Sequence, residues 1–363
     1  MNIGIPKEIM TGEARIALTP DACSVLAESG CVIYVQHNAG KISGYADSEY
    51  QQNGAVIVET AQKLYESAQL IVKVKQPLDE DLHFLNNQHI LFCYLHLAAD
   101  VQLINALCDI GLCAIPFESI TDSNGSLPLL APMSQVAGRI AAIRGASLLF
   151  LNRGGNGVLL GGVDGSESGR VVVLGAGVAG GHAAAVAALL GAQVDVLDLD
   201  EAKLQLLKQQ YPAINTFVST PEVIESVCIK ADLVIGAVLL AGRRAPVILK
   251  KSVVKQMNPG SVIVDISIDQ GGCVEGIHAT SSEELCYVEN DVIHSAVPNM
   301  PATVARTSTQ SLSSAVLPYV LEIANTPPGQ LAASKSVKSQ ALHSAIAINQ
   351  GQVVDSILQQ ELE

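Results

Sequence analysis

From Arg170 to Asp200 the chain reads RVVVLGAGVAGGHAAAVAALLGAQVDVLDLD, and along it the hydrophobic pattern changes period twice. Val171 to Leu174 is an uninterrupted, β-branched run, the pattern of a strand covered on both faces. Ala183 to Leu190 then supplies strong helix formers, Gly191 stops them, and Val194 to Leu197 predicts a second strand ending at Asp198. The same alternation runs through the rest of the chain. Asn2–Ile5, Cys31–Val35 and Val56–Val58 predict strands; Pro20 and Asp21 open a helix through Glu28, and Asp47–Asn53 and Thr60–Ser67 predict two more. Gln69–Lys75 and His89–His96 predict an apolar strand pair in the first half, and Asp232–Val238 with Ser261–Asp269 repeats it in the second. Strands alternating with helices in both halves predict an α/β fold of two doubly wound, Rossmann-like domains with a cleft between them.

The crossing between lobes falls in Ser126–Arg139, where Pro128 and Pro132 restrict the loop and Ser134 is placed as the N-cap of a helix over Gln135–Phe150. The glycine loop Gly154–Gly165 opens no helix and reads as structural or a hinge. A helix over Ser308–Asn325 returns the chain to the first lobe, and Thr326–Gly329 breaks it before a mostly helix-prone tail. These crossings predict a discontinuous substrate domain, 1–128 with 305–363, and a nucleotide domain, 129–304.

Composition narrows the picture. The 363 residues are 49% hydrophobic but only 4% aromatic with no Trp, which fits aliphatic packing around parallel sheets in two or three domains. A net charge of -14 excludes nucleic acid as a partner. The densest basic patch, Arg243, Arg244, Lys250 and Lys251, reads as a solvated helix surface. Eight cysteines without C-x-x-C pairs predict no zinc site and a reduced, cytoplasmic setting. Met1 runs almost directly into a strand, which predicts no leader. The apolar run Val171–Ala192 has membrane-spanning length, but its five glycines and His182 predict a nucleotide turn and a soluble chain.

Within that run Gly175, Gly177 and Gly180 stand at G-x-G-x-x-G spacing between strand and helix. The first permits a tight turn, the second a close approach to pyrophosphate and the third close helix packing, while the helix N-terminus offers N–H groups to phosphate. Asp198, about twenty residues on, suits the ribose hydroxyls, and Asp198 with Asp200 would repel a 2′-phosphate, so NAD is expected over NADP. Lys75, His96 and Asp269 fall at predicted strand ends, where doubly wound sheets bind ligands. Arg15 adds a planar fork suited to a carboxylate. His96 can take and return protons near neutral pH, and Asp269 can stabilise a cationic amine. His182, His278 and His294 lack ligand partners at helical spacing and are assigned to surface or packing; Met133 and Met300 fit either a nicotinamide pocket or ordinary packing.

The motifs IGIPKE, LIVKVKQPL, YLHLAAD, GSLPLLAPMS, GAGVAG, ADLVIGAV, GSVIVDISIDQGGC and NMPATVARTS, in that order with Arg15, resemble the bacterial NAD-dependent L-alanine dehydrogenase family as far as about Tyr319. The resemblance implies reversible oxidative deamination of L-alanine to pyruvate and ammonium, by a hexamer. It places the catalytic histidine and aspartate on His96 and Asp269, and the substrate-carboxylate residues on Arg15 and Lys75. Besides the glycine turn with Val178 and Ala179, it places nucleotide contacts on Ser134, Asp198, Lys203, Ser219, Val238 and Leu239. Further contacts fall on Ile266, Ser267, Ile268 and Asp269, and on Val297, Pro298, Asn299 and Met300. Gln135, His278 and Ala241 depart from the family's usual glutamate, arginine and proline, and Thr326 stands where a magnesium-binding relative needs histidine, so no metal is carried over. Two other readings share the nucleotide module: the NAD-binding component of a proton-translocating transhydrogenase, whose family lacks His96 and Asp269, and an amino-acid dehydrogenase with a larger substrate.

Overall fold

Both halves of the chain build a sheet in the same strand order. The computed structural model describes residues 1–239, 244–281, 283–356 and 358–359, so Ala241 and Arg243 lie outside the described residues. Two units emerge, Met1–Met133 with Ala302–Glu363, and Ser134–Pro301.

In the first unit β1 (Asn2–Ile5), β2 (Val32–Gln36), β3 (Val56–Val58), β4 (Leu70–Val72), β5 (Ile90–Cys93) and β6 (Cys113–Pro116) run parallel in the order β3-β2-β1-β4-β5-β6. The second unit repeats this with β7 (Arg170–Leu174), β8 (Gln193–Asp198), β9 (Asn215–Val218), β10 (Leu233–Gly236), β11 (Val262–Asp265), an antiparallel edge strand β12 (Tyr287–Glu289) and β13 (Val292–Ser295). There the order is β9-β8-β7-β10-β11-β13-β12. Each sheet is covered by apolar side chains on both faces. Ile3, Ile5, Val72 and Phe92 belong to one core of the first unit, and Ile71, Leu91 and Cys93 to the other. Val171 and Val173 face one core of the second unit, and Val172 and Leu174 face the other. Burial on both sides is why these strands read as continuous hydrophobic runs rather than alternating ones. The predicted pair of doubly wound α/β sheets is the observed fold.

Three expected strands are shorter than their hydrophobic runs, each for a local reason. β4 stops at Val72, because Lys73 is drawn into an ion pair with Asp81 at 3.1 Å, and Lys75 lies in the loop beyond. β5 stops at Cys93, and His96 adopts a left-handed conformation (φ 51°, ψ 38°) ahead of a 3₁₀ turn. β11 stops at Asp265, whose carboxylate accepts the amides of Ser267 and Cys273 at 2.8 Å each and curls Ile266–Gln270 into a 3₁₀ helix. Asp269 therefore belongs to that helix and not to a strand.

Ser134 is not an N-cap. The helix spans Ala131–Leu148, so Ser134 lies inside its first turn; Pro132, which has no N–H to lose, is tolerated at that end. The tail is less helical than its composition predicts. After the short helices Pro328–Leu331 and Val337–Ser344, β14 (Ile348–Asn349) and β15 (Gln352–Val353) form a hairpin that extends the first sheet beside β6.

Candidate active site and nucleotide turn

In each sheet the strand order reverses between its first and fourth strands, β1/β4 in one unit and β7/β10 in the other, and ligands of such sheets sit at the carboxyl ends beside that reversal. The sequence-predicted chemistry divides between the two units accordingly: Arg15, Lys75 and His96 on the first, the glycine turn and Asp269 on the second.

On the first unit, the loop after β1 carries Glu8, Glu13 and Arg15. Arg15 is 3% exposed, and its guanidinium is clasped by Glu13, with Nε donating to Oε1 at 2.7 Å and Nη2 to Oε2 at 2.5 Å. Nη1 points to the sulfur of Met133 at 3.0 Å. Burial disfavours the Arg15 charge, but the Glu13 carboxylate outweighs it and holds the guanidinium pKa above its ordinary value. The loop after β4 carries Lys75, half-buried, and the loop after β5 carries His96, exposed to solvent on one side. The imidazole of His96 stacks on the Tyr94 ring, with centroids 6.1 Å apart and an interplanar angle of 13°. Tyr94 is fixed in turn by a hydroxyl bond to the Leu129 carbonyl at 2.6 Å. Desolvation, then the positive charges of Lys75 and Arg15, pushes the His96 pKa down to about 4. The structure thus brings His96, Lys75 and Arg15 into one electrostatic neighbourhood, and His96 is a neutral imidazole at physiological pH.

A left-handed backbone at a residue other than glycine costs roughly 1–2 kcal/mol. At His96 it is held by a residue that the sequence reading missed. Glu118 follows β6 in a 3₁₀ turn, and its Oε1 accepts the amides of His96 at 2.6 Å and Leu95 at 3.1 Å. Burial pushes the Glu118 pKa up, while these amides and Lys75 work against that. The signal was present in the sequence: Glu118 terminates an apolar run, just as Lys75 and His96 do. Beneath the same loops lies a second group the sequence reading passed over. Lys73, 1% exposed, pairs with Asp81 at 3.1 Å and Glu8 at 3.7 Å, and the Tyr65 hydroxyl donates to Asp81 at 2.8 Å.

On the second unit the glycine turn has the shape a dinucleotide needs. Gly175 has φ 111°, and a Cβ there would lie 2.5 Å from the Ala237 carbonyl oxygen; one on Gly180 would lie 1.8 Å from the Gly175 oxygen. A Cβ on Gly177 would meet nothing, because the backbone there faces open space at the N-terminus of the helix Val178–Leu189. A fully packed turn with one open face at a helix N-terminus fits a pyrophosphate. Asp198 ends β8 beside it, and its Oδ2 accepts the Ala176 amide at 2.6 Å, tying the turn to the neighbouring strand. Asp198 also supports the Asp200 amide at 2.9 Å, and Asp200 caps the next helix.

Ser134 aside, the remaining nucleotide candidates follow the carboxyl ends of the second sheet's strands. The Ser219 amide bonds to the Asp198 carbonyl at 2.9 Å, and Lys203 is exposed and pairs with Asp200 at 3.8 Å. The Val238 amide donates to the Ser267 hydroxyl at 2.9 Å, and Leu239 beside it is exposed. Val178 is exposed and Ala179 half-buried at the helix start; Ile266 and Ile268 are half-buried in the 3₁₀ helix. Asp269, exposed, accepts the Asn299 amide at 3.0 Å through Oδ1, and Asn299 has φ 55°. That bond joins the Asp269 segment to Val297, Pro298 and Met300, of which only Pro298 is exposed. Ser134, half-buried in its helix, stands apart from these bonds among the described residues. Of the histidines assigned to surface or packing, His278 and His294 both stack on the Tyr287 ring, with centroids at 3.8 Å and 5.1 Å, a packing arrangement. No helix among the described residues is long and apolar enough to cross a membrane.

Comparison with known proteins converges on one group. Residues 4–137 match the family model described as alanine dehydrogenase/PNT, N-terminal domain, and residues 141–356 match alanine dehydrogenase/PNT, C-terminal domain. Alanine dehydrogenase of Mycobacterium tuberculosis is 43% identical over 352 residues, covering 97% of this chain and 94% of that protein. A solved L-alanine dehydrogenase superposes with a TM-score of 0.95 at 42% identity, covering 100% of this chain and 99% of the other. A transhydrogenase from Sinorhizobium meliloti has a TM-score of 0.83 at 23% identity, covering 98% and 100%, which is a likeness of fold.

Proposed function

The chain belongs to the alanine dehydrogenase/PNT family, and on that premise we propose that it catalyses the reversible NAD-dependent oxidative deamination of L-alanine to pyruvate and ammonium. The observation that carries the reading is the grouping of His96 with the cations Lys75 and Arg15 on the loops that follow β5, β4 and β1 of the first sheet.

Arg15 and Lys75 bind the substrate carboxylate. Arg15 is oriented for this by Glu13, and Lys75 contributes a point charge. When bound, NAD supplies the two-electron acceptor for oxidation at the substrate Cα. The glycines at 175, 177 and 180, with Asp198, hold that cofactor, and the carboxylates at 198 and 200 select against a 2′-phosphate. His96, neutral at working pH, takes a proton from the water that attacks the imine carbon. It returns that proton to the carbinolamine nitrogen, which departs as ammonia as the hydroxyl gives its own proton back to His96 and the carbonyl of pyruvate forms. Asp269 is assigned as the anionic partner of the cationic amine and imine. Ser134, Lys203, Ser219, Val238, Leu239, Ile266 to Ile268 and Val297 to Met300 complete the nucleotide contacts.

Family membership also supports a homohexamer. The eight cysteines, all free thiols, are in keeping with a cytoplasmic location. A steady-state panel of 2-oxo acids with ammonium and NADH tests the substrate. Pyruvate is expected to give the highest kcat/KM, and a branched or longer 2-oxo acid exceeding it would move the assignment to another amino-acid dehydrogenase. His96→Ala and Asp269→Asn are expected to lose turnover and keep NADH binding.

A further inference from the structure

We propose that Glu118 is the positioning residue of the acid–base histidine. The inference rests on the role assigned to His96. An imidazole can exchange protons with a substrate only if its backbone aims it there, and His96 is aimed from a conformation that side-chain-bearing residues rarely hold, φ 51°. His96 belongs to no regular strand; it lies between the end of β5 and the 3₁₀ turn Leu97–Ala99, in which the Ala99 amide bonds back to the His96 carbonyl at 3.0 Å. What fixes the two peptide units before that turn is a single carboxylate. Glu118 Oε1 accepts from His96 N at 2.6 Å and Leu95 N at 3.1 Å, and Oε2 lies 3.3 Å from Leu95 N.

The contact spans 22 residues of sequence, and sheet register makes it possible. β5 and β6 are adjacent and parallel with Cys93 opposite Pro116, so the chain two residues past Pro116 meets the chain two to three residues past Cys93. The Glu118 carboxylate is held by these two amides, and the nearby Lys75 charge favours its ionised form. Phe117 beside it packs edge-on against Phe92 and Tyr94, whereas Glu118 turns away from that aromatic cluster to the two amides. The Tyr94 ring, stacked against the imidazole, sets the ring plane once the backbone is fixed. Glu118 thus sets the backbone and Tyr94 the ring; neither needs to touch substrate.

The test compares Glu118→Ala and Glu118→Gln in the full-length protein, with and without His96→Ala. Glutamine keeps an oxygen at the Oε1 position and so can still accept both amides. Glu118→Ala is expected to lower kcat about a hundred-fold or more, the scale on which acid–base help is lost, with pyruvate KM nearly unchanged because Arg15 and Lys75 remain. Its pH–rate profile should lose the acidic limb that reports His96. Glu118→Gln should recover most of the turnover, and Glu118→Ala should cause no further loss in a His96→Ala background. A Glu118→Ala enzyme with wild-type kcat and pH profile would overturn the inference. So would a Glu118→Gln enzyme as impaired as the alanine variant, or an additive loss in the double variant. If Glu118→Ala does not fold, Glu118→Gln decides by the NMR titration of His96, which must match wild type for the inference to stand. A wild-type protein with no turnover would instead refute the dehydrogenase reading itself, a separate outcome.

Discussion

Glu13 and Arg15, two residues apart, are joined by a pair of parallel side-chain bonds of 2.7 and 2.5 Å in a buried pocket of the first unit. Part of the guanidinium fork is therefore engaged inside the protein, and its direction is set by Glu13 before any substrate arrives. Removing one partner of a buried pair leaves an uncompensated charge, so Glu13→Ala is expected to destabilise the fold by about 3–5 kcal/mol. Urea unfolding measures this, and an unchanged midpoint would show that the pair is not what holds the loop. Arg15→Lys, which has a point charge and no fork, should raise pyruvate KM while leaving NADH affinity alone.

His96 has a pKa of about 4 in the free protein, drawn down by desolvation and then by Lys75 and Arg15. A bound carboxylate counters both cations, which favours the protonated imidazole. The His96 pKa should therefore rise when pyruvate binds. An NMR titration of the ring protons with and without pyruvate checks the sign; a fall or no change would mean that the carboxylate binds elsewhere.

Lys73 titrates in the opposite sense. Burial disfavours its charge, but the Glu8 and Asp81 carboxylates more than compensate, and its pKa is raised. A group whose folded pKa exceeds its unfolded one stabilises fully below the unfolded value and loses that contribution as pH rises through the folded one. Stability should thus decline above about pH 10.4, the ordinary lysine pKa, and more steeply in wild type than in Lys73→Met. Urea midpoints from pH 8 to 11 read the difference, and parallel curves would remove Lys73 from the cause.

The glycine turn separates folding from binding. A side chain on Gly180 would collide with the Gly175 backbone, whereas one on Gly177 meets only open space at φ -70°. Gly180→Ala should lower the melting temperature. Gly177→Ala should leave it unchanged and weaken NADH at least ten-fold, because the new methyl stands where backbone must approach pyrophosphate. Isothermal titration and thermal melts on the two variants distinguish these outcomes.

The sheets were legible because their strands are buried on both faces and announce themselves as unbroken runs such as Val171–Leu174. The nucleotide turn was legible because glycine spacing reflects backbone sterics directly. Strand ends were less so. Hydrophobicity continues past Cys93 and Asp265 to Leu95 and Ile268, but side-chain-to-backbone bonds bend the chain first. These bonds are non-local or depend on the turn itself, so composition carries no trace of them. For the same reason Glu13 was passed over in favour of Arg15, which it orients; Glu118 does end an apolar run, but its partner amide at His96 lies 22 residues away in sequence. The tail hairpin escaped notice because Ile348–Asn349 and Gln352–Val353 are too short to show a period and exist by pairing with β6.

The most direct measurement is NADH oxidation by the purified protein with pyruvate, with and without ammonium. The predicted result is turnover that requires both, produces L-alanine in equal amount to NADH consumed, and is far slower with NADPH. NADH that binds but is not consumed when both are present, or is consumed without ammonium, would contradict the assignment.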